Sequence, residues 1–322
     1  METKKTFDIV ALGEILIDFT FQGFNNDGQR LFAQNAGGAP ANVLVAVQKL
    51  GGKTAFIGKV GNDMHGTFLK SVLEKEKVNT NGLIISDEFF TTLAFVSLAE
   101  NGERFFSFAR KPGADTQITK EEINTDLIKQ TKVFHIGSLS LTDEPARSAT
   151  LFAVDFAKKN GCIISYDPNY RASLWKNEEL AKEQMKSLIP FVDIIKISDE
   201  ETELLTGFSD VTQAAKYLFD CGIKIVLVTL GEKGTYVFSK FGGNFVPTFS
   251  SKVVDTTGAG DSFFGGFLYQ FINENNDIDN TSLDKLSKYA KFGNSVASLC
   301  IEKKGAIPAM PALKDVLERQ NC

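Results

Sequence analysis

Short apolar runs alternate with amphipathic stretches along most of the chain. Phe7 to Leu12 is a short apolar run that ends at Gly13, the pattern of a buried strand. Gly37-Gly38-Ala39-Pro40 then opens a helix. Pro40 suits its first turn, Val43, Val47 and Leu50 keep helical spacing, and Gly51-Gly52 stops it. The pattern predicts a strand over 54–58 and a helix over 65–75. Further buried strands are predicted at 133–136, 162–166, 194–197 and 225–229, with helices near 144–160, 178–189, 199–206 and 211–221 between or after them. Strands at 235–238 and 244–247 and helices at 261–273, 283–301 and 311–319 complete the last third. Strand and helix in alternation predict a mostly parallel central sheet with helices on both faces, a three-layer α/β/α sandwich.

Segments 14–36 and 88–115 break that rhythm. They are strand-like with no helix between their strands, alternate at Leu93-Ala94-Phe95-Val96-Ser97-Leu98, and carry a hairpin turn at Glu100-Asn101-Gly102. Each follows a strand of the alternating core. They are expected to form a small β-sheet lid inserted in one domain spanning 1–322 and placed over an active site. Neither a linker nor an internal repeat divides the chain.

Composition narrows the functional classes. The 322 residues are 43% hydrophobic and 23% charged, a globular balance with enough apolar material for a large core. The net charge of −5, without a long Lys/Arg tract, gives no reason to expect a nucleic acid or an anionic membrane as partner. Cys162, Cys221, Cys300 and Cys322 have no metal or redox spacing, and two histidines are too few for a metal cluster. Free thiols, no signal-peptide pattern and no membrane-length apolar run point to a cytoplasmic protein.

The chemistry concentrates at Asp255-Thr256-Thr257-Gly258-Ala259-Gly260-Asp261-Ser262. Gly258, Ala259 and Gly260 let a ligand approach their backbone N–H groups, and the apolar run that follows reads as a helix. Those amides therefore sit at the positive end of a helix, a site for phosphate or developing negative charge. Asp261 adds a carboxylate to the same space. Like charges make that odd for simple anion binding, but it suits a base taking the proton of a hydroxyl that attacks a phosphoryl group. A capped Gly-rich turn is the bland alternative. The dinucleotide fingerprint fails because Phe263 stands where a third glycine is needed, and Gly52-Lys53-Thr54 fails as a phosphate loop because Val47 replaces its first glycine.

A second constellation, Gly37-Gly38-Ala39-Pro40-Ala41-Asn42, offers backbone amides and one carboxamide, suited to a hydroxyl-rich neutral ligand or to holding its own turn. Asp18 could hold two sugar hydroxyls or be an exposed hairpin residue. Asp167, Asn169 and Arg171 follow a buried strand, where ligands of open α/β sheets bind; a plain turn is the alternative. Thr229-Leu230-Gly231-Glu232-Lys233-Gly234 ends another such strand and either faces phosphates or simply turns.

Together these motifs resemble the ribokinase-like (PfkB) carbohydrate kinases, from Gly13-Glu14 and Asp18 to Gly305-Ala306-Ile307-Pro308. The stretch 255–261 looks like the C-terminal signature of that family, and Gly37-Gly38 through Gly61 like its N-terminal one. Ala39-Pro40, Asp167-Pro168-Asn169 with Arg171 and Trp175, and Lys196-Ile197-Ser198 are similar to bacterial fructokinases. The resemblance implies a ribokinase-like fold and ATP-dependent phosphorylation of a sugar's primary hydroxyl, with fructose 6-phosphate as product. It implies that Asp261 is the base and that Gly258, Ala259 and Gly260 form the anion hole. Asp18, Gly37, Gly38, Asn42, Asp167 and Asn169 would hold sugar, with Arg110 and Arg171 closing the pocket. Lys196, Ser198, Thr229, Gly231, Gly234, Gly260 and Asn294 would contact ATP. Glu201 would organise Mg²⁺ through water, and Asp255 and Thr257 would bind a K⁺-type cation. A homodimer through the lid is the expected assembly. One departure is that Ser198-Asp199-Glu200-Glu201 stands where many relatives carry Asn-x-x-Glu. Other acceptors (2-keto-3-deoxygluconate, ribose, a nucleoside) and a catalytically silent sugar- or nucleotide-binding regulator remain as alternatives.

Overall fold

The computed structural model describes residues 5–98, 104–274 and 277–321. Nine strands build the main sheet: β1 (Phe7–Leu12), β4 (Thr54–Gly61), β5 (Asn79–Ser86), β8 (Thr131–Gly137), β9 (Ile163–Asp167), β10 (Ile194–Ser198), β11 (Ile225–Thr229), β12 (Thr235–Ser239) and β13 (Gly242–Val246). Their order is β13-β12-β11-β10-β9-β8-β1-β4-β5. Every pair is parallel except β11–β12 and β12–β13, which form an antiparallel meander at one edge.

Alternation along β1 shows how the layers arise. Ile9 and Ala11 point into one apolar layer, Val10 and Leu12 into the other. The first layer is completed by α1 (Ala39–Lys49), α2 (Met64–Lys75), α8 (Ala259–Asn273) and α9 (Leu283–Cys300). The second is completed by α3 (Thr125–Lys129), α4 (Ala146–Lys159), α5 (Glu178–Ser187), α6 (Asp199–Thr206) and α7 (Val211–Asp220). A last helix, α10 (Leu313–Gln320), packs Val316 against Val296 and Phe292 of α9. This is the three-layer sandwich that the alternation predicts. Strand β5 was not anticipated. Its first half, Asn79-Thr80-Asn81-Gly82, reads as a turn, yet it closes the far edge of the sheet beside β4.

A second sheet has the order β3-β2-β6-β7, from β2 (Leu16–Phe24), β3 (Arg30–Gly37), β6 (Leu93–Leu98) and β7 (Arg104–Ala109). Its central pair β2–β6 is parallel and its outer pairs are antiparallel. The turn expected at 100–102 lies outside the described residues. Asp63 fixes the base of this sheet. Its carboxylate caps α2 through the N–H groups of His65 and Gly66, and also accepts from the Thr91 N–H (2.8 Å) and hydroxyl (2.9 Å). Those bonds hold the Asp63 carboxyl below its ordinary range against the opposing effect of burial.

Candidate active site

Strands β1, β9, β10 and β11 all end at the same edge of the sheet, where α1 and α8 begin. A cleft of about 640 Å³ opens there, bounded on its far side by the small sheet. Gly258 caps α8 in the left-handed region (φ 78°), and a Cβ on it would lie 2.7 Å from Ala306 Cβ. The mouth of α8 thus opens on the cleft; the Ala259 N–H donates to the Thr256 carbonyl at 3.2 Å, and the next amides of the first turn have no preceding helical turn to take them up. Gly260 is bare for a different reason: a Cβ there would lie 2.7 Å from Lys196 Nζ, so the ammonium packs directly on the helix mouth.

Asp261 sits in that first turn and is buried, and its Oδ2 accepts from Asn42 Nδ2 at 2.8 Å. Burial, and then the charge of Asp167, push its carboxyl up to about 6. Lys196, the Asn42 hydrogen bond and Arg171 oppose that rise. A carboxylate with this poise is charged at neutral pH yet basic enough to accept a proton. Asn42 lies in the first turn of α1, and its Oδ1 is buried without a hydrogen-bond partner among the described residues.

Asp18 enters from lid strand β2. Burial pushes its carboxyl up to about 6, Arg171 opposes this, and Asp255 and Asp261 add to it. Gly37, paired two residues along on β3, has no side chain because a Cβ would overlap the Asp18 carboxylate. Gly38 (φ 115°) lets α1 begin against the turn at Glu14: its Cβ would fall 2.5 Å from the Glu14 carbonyl oxygen. Asn169 is held in the left-handed region (φ 47°) on the cleft wall. A non-glycine residue there is uncommon and marks a backbone position fixed by its surroundings. Arg171 lines the cleft, and among the described residues its hydrogen bond is local, to the Tyr170 carbonyl at 3.0 Å.

On the opposite wall Lys196 (β10) pairs with Asp167 (β9) at 2.8 Å, both buried. Burial works against the ammonium, but Asp167, Glu201 and Asp261 together raise its pKa, so it stays charged. Glu201 is buried at the start of α6. It accepts from the N–H (2.9 Å) and hydroxyl (3.2 Å) of Ser198, and from the Tyr170 N–H (2.7 Å). Thr229 and Gly231 continue this wall.

Several expected contacts lie elsewhere. Arg110 does not line the cleft. Its guanidinium is buried on Asp115, the Thr142 hydroxyl and the Leu139 carbonyl, so it braces the segment that follows β7. Asp167 lies behind Lys196, not on the cleft surface. Asn294 ties α9 to β12 and β13 through the Thr235 hydroxyl and the carbonyls of Val246 and Pro247. Gly234 packs against the Val246 carbonyl at the turn into β12. Asp255 borders a separate cavity of about 320 Å³ beside β2 and β3, which Asp18 and Thr257 share. In turn, Glu14, Phe108 and Leu139 line the main cleft without having been singled out. Glu14 was hidden because it reads as part of a strand-to-strand turn.

An anion-binding helix mouth, a buried carboxylate inside it and a polar cleft beside both define a site for transferring a phosphoryl group to a hydroxyl. The chain belongs to the pfkB family of carbohydrate kinases, whose model matches residues 6–313. It is 44% identical to a probable fructokinase-3 of Arabidopsis thaliana, over 97% of this chain and 93% of that protein. Its structure superposes on the fructokinase of Xylella fastidiosa with bound ATP (TM-score 0.91, 34% identity, 99% of each chain). It also superposes on the fructokinase of Vibrio cholerae O395 in its fructose, ADP and calcium ion bound form (TM-score 0.86, 32% identity, 97% of this chain and 99% of that one). The fold is the ribokinase-like α/β sandwich of these kinases.

Proposed function

We propose that this chain is an ATP-dependent fructokinase that phosphorylates the 6-hydroxyl of fructose. The observation that carries the reading is Asp261, buried in the mouth of α8 and held by Asn42. In this reading Asp261 Oδ takes the proton of the attacking hydroxyl. The first-turn amides of α8 stabilise the charge of the transferring phosphoryl group, and Lys196, packed on Gly260, adds a fixed positive charge beside them. Asp18, Gly38, Asn42, Asn169 and Arg171 bind the sugar, while Ser198, Thr229 and Gly231 face the triphosphate. The likeness in sequence and structure to proteins named as fructokinases supports the sugar assignment.

No group of three or more His, Cys, Asp or Glu among the described residues could cage a metal ion. That fits Mg²⁺ arriving on the triphosphate, with Glu201 meeting it through water. Mg²⁺ supplies charge neutralisation of the phosphates when bound. The oxygen donors at Asp255 and Thr257 suit a K⁺-type cation behind the anion hole. Residues 14–36 and 88–115 act as the lid of a single kinase domain. The lid's exposed Phe24, Phe32 and Phe95 are the face proposed for a second copy of the chain. The free thiols of Cys162, Cys221 and Cys300 accord with a cytoplasmic enzyme. No helix among the described residues is long and apolar enough to cross a membrane.

ADP release measured with fructose, ribose, 2-keto-3-deoxygluconate and adenosine tests the assignment. Fructose is expected to give the highest kcat/KM, by about tenfold or more, since misplaced hydroxyls leave buried polar groups unpaired. A higher value for another acceptor would reassign the substrate. No ADP release with any sugar would leave a binding protein.

A further inference from the structure

We propose that Glu14 is a further acceptor-binding residue, whose carboxyl hydrogen-bonds a hydroxyl of the bound sugar. The inference rests on the sugar-kinase reading and extends it to a residue that reading does not use. Glu14 sits where β1 leaves the main sheet and β2 enters the lid. Its side chain is buried, at 3% exposure, yet it lines the same cleft as Asp18, Gly38, Asn42 and Asp261. Oε1 accepts from the Ala39 N–H at 3.0 Å, the first residue of α1, which fixes the plane of the carboxyl. Oε2 is buried and has no hydrogen-bond partner among the described residues. Buried polar atoms are nearly always paired, so an oxygen left open on the wall of a ligand cleft points to a group that the ligand supplies.

The charged surroundings narrow that ligand. Asp115 and Arg110, on the return from the lid, are the charged groups that face Glu14, and the Arg110 guanidinium is already bonded to Asp115, Thr142 and Leu139. Burial, with Asp115 adding to it, pushes the Glu14 carboxyl up to about 7; its backbone hydrogen bonds and Arg110 oppose the rise. Near neutral pH the group is therefore shared between an acid that donates and a carboxylate that accepts. A sugar hydroxyl can answer either form, since it both donates and accepts. A phosphate or a carboxylate could answer only the protonated one. The ligand class is a neutral polyol, and Glu14 joins Asp18 and Asn42 in selecting it.

The experiment uses the full chain. Wild-type turnover of fructose is measured first, so that failure of the fructokinase reading shows itself separately. E14L, E14D and E14Q are then compared for the KM of fructose and of ATP, and E14L is repeated with 1-, 3- and 4-deoxyfructose. E14L and E14D should raise the fructose KM by roughly ten- to a hundredfold while the ATP KM moves less than about twofold. E14Q, whose amide can keep both bonds, should restore the fructose KM to within a few fold of wild type. With one deoxy sugar the difference between E14L and wild type should vanish, because the bonded hydroxyl is gone. Should E14L not fold, E14D and E14Q decide the matter through the same two KM values. An unchanged fructose KM, an equal rise in both KM values, or a penalty identical for all three deoxy sugars would overturn the proposal and leave Glu14 as a cap of α1.

Discussion

Asp261 carries opposing demands of stability and chemistry. Its carboxyl is raised to about 6 by burial, so the folded chain favours its protonated form. The stabilising contribution of that proton is present below about 4 and is lost as pH rises through about 6. Activity runs the other way, because only the carboxylate can accept a proton. kcat/KM is therefore expected to be flat above about pH 7 and to fall below about 6. Asp18 titrates in the same range, so the apparent value belongs to the pair. D261N should lower kcat by about two to four decades with modest changes in KM. It should also melt higher than wild type at pH 8 and level with it near pH 4. The gain should be at most about 3 kcal/mol, less whatever Lys196 loses with its neighbour's charge. Near-normal turnover of D261N would remove Asp261 from the mechanism. The sequence shows Asp261 and Asn42 as separate candidates, each beside a glycine-rich turn. It does not show that they touch, because 219 residues separate them and only the packing of α1 on α8 brings them together. Lys196 and Asp167 pair for the same kind of reason: β9 and β10 are neighbours in the sheet, and nothing local encodes that.

Elements were more legible than contacts. Strands such as β1 and β11 and helices such as α6 and α8 announce themselves by apolar runs, caps and glycines, and the structure places them where the periodicity does. Two elements were missed: α3, only five residues long, and β5, an edge strand whose polar first half carries turn residues and whose pairing with β4 includes a register shift. That segments 14–36 and 88–115 share one small sheet was expected, but the parallel pairing of β2 with β6 that joins them across so much chain was not legible. The loop before α8 shows what an element gains from such a long-range tie. Asp255 Oδ1 accepts from the Thr257 N–H (2.9 Å) and hydroxyl (2.7 Å), and Oδ2 accepts from the Gly305 N–H (2.9 Å) beyond α9. The carboxylate thus clamps the loop before α8 to the segment following the next helix. A monovalent cation bound there would reinforce the same clamp. Replacing K⁺ by tetramethylammonium should then lower kcat several-fold or more while the KM for ATP stays nearly constant. Full activity without any alkali cation would leave Asp255 with the clamping role alone.

At the scale of the molecule the two sheets meet at the cleft: the large one positions the helix mouths, and the small one borders them. Leu16, Asp18 and Phe108 reach the cleft from the lid, while Phe19 packs on His65 of α2 and Gln34 bonds the His65 ring at 3.2 Å. The small sheet therefore borders the ligand space while Ile17, Ala36 and Phe19 anchor its base in the main core, and the lid reading requires that its outer strands respond to ligand. Sugar bound between Asp18 and Asn42 would join β2 to α1. Amide exchange in Leu16–Phe24 and Arg30–Gly37 should accordingly slow when fructose is added, more than in β11 or β12, which lie away from the lid in the main sheet. The outer surface of the same sheet supplies a control. Phe19 stacks on Phe95 (5.2 Å between ring centres) and Phe32 meets Phe95 edge-on (6.1 Å), leaving Phe24, Phe32 and Phe95 exposed. A second copy covering those rings would slow exchange with protein concentration, with or without sugar, and sedimentation would show the dimer directly. Exchange should therefore be followed with and without fructose at two protein concentrations on either side of any dimerisation. A sugar-dependent slowing at both concentrations identifies a lid that closes on its substrate. Exchange that responds to concentration alone would make the sheet an assembly surface, and exchange that responds to neither would make its strands an ordinary rigid part of the body.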